Sequence, residues 1–159
     1  VDGQIQDSIE KIRKYQNLFI LTSQDSYLLN GSIKENIIFG STAELSNEKI
    51  NQALNFSCLQ ETIANLPNGI ESQVGSSLKK LSSGQKQRIS IARSAYNNRP
   101  ILIFDEATNA LDEKNEKIIF QNIKKLKGKK TIIVISHNLE NLKICDKVFK
   151  LENKMLKKI

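Results

Sequence analysis

Two short apolar runs, Ile101-Leu102-Ile103-Phe104 and Thr131 to Ile135, flank a stretch in which apolar residues recur at helical spacing. That stretch, Lys114 to Leu126, turns Ile119, Ile123 and Leu126 to one side and is closed by Gly128. Uninterrupted apolar runs of this length are expected of strands buried on both faces of a parallel sheet. Strand, helix, strand is a βαβ unit, and its crossover makes the two strands parallel when they share a sheet. Both then end on one edge, where ligands bind in open α/β sheets. Asp105-Glu106 leaves the first strand and Ser136-His137 the second. The only histidine and an adjacent pair of carboxylates are therefore expected to converge on one crevice.

The rest of the chain reads as shorter elements. Ser8 to Tyr15 places Ile9 and Ile12 one turn apart, and Leu18 to Leu21 has the length of a buried strand that ends in Thr22-Ser23-Gln24-Asp25. Ser46 to Leu66 keeps helical spacing, with a break expected near Phe56, until Leu66-Pro67-Asn68-Gly69 stops it with turn chemistry. Ser82-Ser83-Gly84-Gln85 fits a capping box, in which a serine accepts from the backbone three residues on and the glutamine reaches back. The helix it opens runs to about Tyr96, with Ile89, Ala92 and Tyr96 on one side, and Asn97-Asn98-Arg99-Pro100 ends it.

Composition narrows the class. A chain of 159 residues, 39% hydrophobic and 26% charged, suffices for one globular core. No apolar run nears the roughly 18 residues of a membrane helix. Cys58 and Cys145 are too few for a disulfide framework and lie in no metal-ligand spacing, which suits a reducing compartment. The net charge of +7 divides unevenly, −2 over residues 1–113 and +9 over residues 114–159. Lysine outnumbers arginine 20 to 4, so the residue best shaped to grip phosphate is the scarcer one. No specific nucleic-acid partner is expected.

A carboxylate after a buried apolar strand is the Walker B arrangement, in which the acid helps hold Mg²⁺ beside phosphates, usually through water. Asp105 then serves the metal, and Glu106 is placed to orient or deprotonate an attacking water. His137 is suited to contact a transferred phosphoryl group or orient the nucleophile. The helix opened by Ser82 offers free N–H groups and the positive end of its dipole, and Gly84 allows close backbone approach. Gln24 is in reach of the metal or the water. Each residue also has a plain structural explanation, as a cap, a loop residue or a lone core histidine.

Taken together, Gln24, LSSGQKQRISIARS (81–94), ILIFDEATNALD (101–112) and TIIVISH (131–137) resemble, in order and spacing, the nucleotide-binding domain of ABC transporters. Leu81 to Gln85 is similar to the signature motif, Ile101 to Glu106 to Walker B with its glutamate, and Ala110-Leu111-Asp112 to the D-loop. His137 is similar to the switch histidine and Gln24 to the Q-loop glutamine. LLNGSIKENI (28–37) and LPNGIESQVG (66–75) look most like exporters.

The resemblance implies an α/β, P-loop NTPase-like three-layer fold, partly present, with a mainly parallel sheet and an inserted helical subdomain. Residues 1–30 would be the strand and Q-loop region, 31–96 the helical subdomain with the signature motif, and 97–159 the core region with Walker B, D-loop and H-loop. It also implies ATP and Mg²⁺, with Glu106, His137 and Gln24 catalytic and Asp105 and Gln24 serving the metal. Ser82, Ser83, Gly84, Gln85, Asp105 and Asp112 would bind nucleotide. The implied partners are a second ATPase domain in a head-to-tail dimer and a transmembrane domain upstream on the same polypeptide, at the cytoplasmic face of the membrane.

The sequence departs from that pattern in four places. No G-x-x-x-x-G-K-[ST] occurs among the seven glycines, so the phosphate-cradling P-loop is missing. Val1-Asp2-Gly3-Gln4-Ile5 resembles the strand region downstream of it. The chain is accordingly expected to be part of a longer product and inactive alone. Ser83 replaces the first signature glycine, Asn109 stands where a serine is usual, and Ser76-Ser77-Leu78 replaces a Glu- and Gly-containing stretch. Two other readings fit: a soluble ABC-type ATPase acting on nucleic acid or ribosomes, and a non-catalytic module that supplies only its signature helix.

Overall fold

The computed structural model describes residues 8–75 and 81–159. The Val1–Ile5 and Ser76-Ser77-Leu78 readings lie outside the described residues. Along the chain run α1 (Ile9–Gln16), β1 (Phe19–Ser23), β2 (Gly31–Ser32), α2 (Ile33–Ile38), α3 (Asn47–Phe56) and α4 (Gln60–Ala64). A 3₁₀ turn (Gly69–Glu71) and β3 (Gln73–Val74) lead to α5 (Ser83–Asn97), β4 (Ile101–Asp105) and α6 (Glu113–Lys124). β5 (Thr131–Ile135), α7 (Leu139–Leu142), β6 (Phe149–Glu152) and β7 (Met155–Lys158) follow.

The parallel sheet has the order β1-β4-β5, in a register that aligns Ser23 with Asp105 and Asp105 with Ile135. All three strands therefore stop together, as the βαβ reading requires. β2–β3 and β6–β7 form separate antiparallel pairs.

Burial corrects one expectation. Within this chain the strands are covered on one face. Leu102 and Phe104 of β4 are each 2% exposed and pack with Ile91 of α5 and Ile119, Phe120 and Ile123 of α6. On the other face Leu21 is 55% exposed and Ile135 49%. Ile91 of α5 and the apolar stripe of α6 cover the Leu102–Phe104 side, and within this chain the opposite side is exposed at β1 and β5. An uninterrupted apolar sequence cannot distinguish these cases, because it offers apolar side chains to both faces alike.

A second core gathers Ile33 and Ile37 of α2, Ile50, Ala53 and Leu54 of α3, and Ile89, Ala92 and Tyr96 of α5. α5 thus lends opposite sides to two cores. Its start is the expected capping box, with Ser82 Oγ accepting from Gln85 N–H and Gln85 Oε1 from Ser82 N–H. Its end is Asn98 in the left-handed region at φ 51°, shortly before Pro100. The same Ser-x-x-Glu signature at Ser32 and Glu35 caps α2, which the sequence reading had not singled out as a helix.

Asn36 of α2 is fully buried. Its Oδ1 accepts from Leu29 N–H at 2.8 Å and Arg93 Nη2 at 3.1 Å, and its Nδ2 donates to the carbonyls of Leu29 and Ser32, both at 3.0 Å. Asn36→Leu would orphan several of these groups at roughly 1–3 kcal/mol each. Denaturant unfolding of the variant is expected to show a loss of about 2–4 kcal/mol, and an unchanged midpoint would show that water replaces the amide.

Candidate functional site

Asp105 ends β4, half-buried, between Ser23 on β1 and Ile135 on β5. Gln24 follows Ser23 directly, so it lies on the same edge, exposed. Glu106 continues the ladder by donating its N–H to the Ile135 carbonyl at 3.0 Å, with its backbone in the left-handed region at φ 49°. A residue with a Cβ rarely sits there, and the cost is of order 1–3 kcal/mol. The bend brings the Glu106 carboxylate to the end of β5. His137 Nε2 meets Glu106 Oε1 at 2.7 Å, and Asn109 Nδ2 donates to Glu106 Oε2 at 2.8 Å. Both oxygens are held. The glutamate side chain is 19% exposed and the histidine 88%, so one partner is enclosed and the other is free to turn away.

The convergence of Asp105, Glu106, Gln24 and His137 on one edge is therefore present. The sequence-based residues of α5 are placed less simply. Ser82 and Gln85 spend polar atoms on each other in the cap, and Ser83 and Gly84 form the first helical turn. Gly84 also has a structural reason to lack a side chain: a Cβ there would stand 2.6 Å from the Ala110 carbonyl oxygen. Asp112 caps α6, its Oδ1 accepting from Asn115 N–H at 3.0 Å and its Oδ2 from Asn115 Nδ2 at 2.6 Å. The hydrogen bond from the Asn115 backbone, foremost, holds this carboxyl below its ordinary range.

Three further residues join the site. Asn109 was visible only as a departure from a motif. Gln87, 3% exposed, accepts from Ala110 N–H at 3.0 Å and donates to the Gln24 carbonyl at 3.3 Å. It lies between Gly84 and Ile91 on the inward side of α5, and with Lys86 and Arg88 beside it and Ser83 and Ser90 a turn away its sequence context gives no sign of burial. Glu116 Oε1 accepts from Thr108 Oγ1 at 2.8 Å and Asn141 Nδ2 at 2.9 Å, tying the segment after Glu106 to the segment after His137. Nothing in its sequence context marks it.

Asp105 offers a single carboxylate, and among the described residues no cluster of three His, Cys, Asp or Glu could hold a metal ion. Such a sparse donor set fits a cation that completes its shell with water and phosphate oxygens, as Mg²⁺ does, better than one needing a protein cage.

The family model described as ABC transporter matches residues 1–109. The chain belongs to the ABC transporter family. It is 37% identical over 149 residues to the ATP-dependent lipid A-core flippase of Francisella tularensis subsp. holarctica (strain OSU18), covering 94% of this chain and 24% of that protein. The flippase of the same name from Vibrio cholerae serotype O1 is 36% identical, over 87% of this chain and 24% of its own length. A solved structure, of a bacterial Atm1-family ABC exporter with ATP bound, superimposes with a TM-score of 0.88 at 33% identity, over 98% of this chain and 27% of that one. The chain spans about a quarter of the length of these curated relatives.

The Gly84 contact makes a test that helix propensity alone would decide the other way. Gly→Ala inside a helix normally stabilises by about 1 kcal/mol. Here Gly84→Ala is expected to lower the melting temperature, because the Ala110 peptide has to move; a higher one would show that the loop does not rest on α5.

Proposed function

We propose that this chain is the ATPase region of an exporter-type ABC protein, acting within a longer polypeptide that couples ATP hydrolysis to export or flipping of a substrate. The observation that carries the reading is the Glu106–His137 contact at the carboxyl edge of a parallel sheet, one residue from Asp105. Similarity to two flippases and an exporter over nearly the whole chain supports the transport half. Among the described residues no helix is long and apolar enough to cross a membrane, so the transmembrane partner belongs to another segment or subunit. The proposed location is the cytoplasmic face of that membrane.

In this reading Asp105 would hold Mg²⁺ through water, with Gln24 beside it, and the ion supplies charge neutralisation at the phosphates. Glu106 accepts a proton from the attacking water as its oxygen bonds to the γ-phosphorus and the bond to the leaving ADP oxygen breaks. One of Glu106's two present partners has to release it first. The His137 side chain is 88% exposed, and its Nε2 proton, once freed from Glu106, is available to a γ-phosphoryl oxygen. Ser82, Ser83, Gly84 and Gln85, at the positive end of α5, face the nucleotide of a second ATPase domain in a head-to-tail pair. Asp112 serves the same interface through the loop it terminates.

General-base catalysis contributes about 10²–10⁴-fold. Glu106→Gln in the full-length protein is therefore expected to lower kcat by at least about 100-fold with ATP affinity retained, and turnover near that of the unsubstituted protein would reject Glu106 as the base. The 159-residue chain alone carries no P-loop. Calorimetric titration of it with MgATP is expected to show negligible binding, and micromolar affinity would contradict the assignment of phosphate binding to another segment.

A further inference from the structure

Gln87 ties together two loops that flank the proposed catalytic carboxylate. Its side chain leaves the middle of α5 and is 3% exposed. On one side Oε1 accepts the Ala110 N–H at 3.0 Å, and on the other Nε2 donates to the Gln24 carbonyl at 3.3 Å. The Ala110 carbonyl lies close over Gly84, one helical turn before Gln87, where an added Cβ would stand 2.6 Å from its oxygen. Its neighbour Asn109 holds Glu106 Oε2 at 2.8 Å. A continuous chain of short contacts thus runs from α5 through Gln87, Ala110 and Asn109 to Glu106, with a branch to Gln24.

We infer that Gln87 is a positioning residue through which α5 sets the placement of Glu106 and Gln24. The inference rests on the ATPase reading above for its functional consequence. The first turn of α5, with Ser82 and Gly84, faces the nucleotide of the opposite domain in that reading. Gln87 is one turn further along the same rigid helix. A shift of α5 on engaging that nucleotide moves the Ala110 and Gln24 backbones with it, so occupancy of one composite site is felt at the Glu106 of the other. The connection is made by a primary amide because only a group that both donates and accepts serves an N–H and a carbonyl at once.

The test uses the full-length protein and two variants. Gln87→Met keeps length and burial but loses both bonds. Gln87→Glu keeps the acceptor for Ala110 N–H and loses the donor to Gln24. For Gln87→Met, kcat is expected to fall roughly 10-fold with KM for ATP within about 2-fold, the pattern of lost transition-state alignment, and cooperativity in ATP is expected to weaken. Gln87→Glu keeps the Ala110 tie but sets a buried carboxylate oxygen against the Gln24 carbonyl, so its kcat is expected to fall as well. Amide exchange across residues 108–111, followed by mass spectrometry, is expected to quicken in Gln87→Met and to change less in Gln87→Glu.

Unchanged kcat in Gln87→Met overturns the inference, and so does unchanged exchange over 108–111. Equal losses in the two variants that track a lowered melting temperature overturn it as well, by reducing Gln87 to a packing residue. If Gln87→Met does not fold, Gln87→Glu alone decides on the same readouts. The exchange measurement separates this inference from the reading beneath it. Should the unsubstituted protein fail to hydrolyse ATP, the ATPase reading falls while the Ala110 tie is still read directly.

Discussion

β4 is the strand on which the site depends, because among the described strands it alone has parallel partners on both sides. Leu102 and Phe104 anchor it against α5 and α6, and its ladders fix β1 and β5 in register around it. A slip of one residue in either ladder would turn every side chain to the other face. A slip between β4 and β5 would also part Glu106 from His137, which meet because those two strands end level. The chemistry of the edge is thus a consequence of apolar packing one layer down. The carboxylate and the imidazole, distant in sequence, need no direct attraction to find each other.

α5 has a comparable double duty. Ile89, Ala92 and Tyr96 belong to one core and Ile91 to the other, so the helix is held from two directions. Thr22 Oγ1 and Ser94 Oγ, buried and 2.5 Å apart, join it to β1 as well. A strut fixed in this way is a good carrier for residues that have to be presented accurately, and its capped first turn projects beyond both cores. Arg93 extends the same helix's reach, with Nε on the Asn36 carbonyl at 2.8 Å and its guanidinium 5.7 Å from the Phe39 ring centroid.

Much of this was legible in the residues. The strand–helix–strand pattern, the capping box at Ser82 and the break near Phe56 follow from periodicity and local hydrogen-bond chemistry, and the structure contains each of them. The meeting of Asp105, Glu106 and His137 followed from topology once the strands were parallel. What could not be read falls into two kinds. Whether an apolar run is covered on one face or two depends on which helices pack where, and the open side at Leu21 and Ile135 has no local signature. Long-range polar ties were equally hidden. Gln87 to Gln24 spans 63 residues and Glu116 to Asn141 spans 25, and a glutamine or glutamate on a helix looks the same in sequence whether it meets solvent or a loop.

Glu106 stands in a backbone conformation that suits glycine or asparagine better than glutamate. The fold tolerates it because the ladder bond to Ile135 and the grip of His137 and Asn109 over-determine the turn. Folding and chemistry therefore pull on this position in opposite directions. Any pressure for thermal robustness alone would favour a residue at home in the left-handed region and discard the carboxylate with it. Position 106 is where a stabilised descendant of this protein would most readily become a silent one.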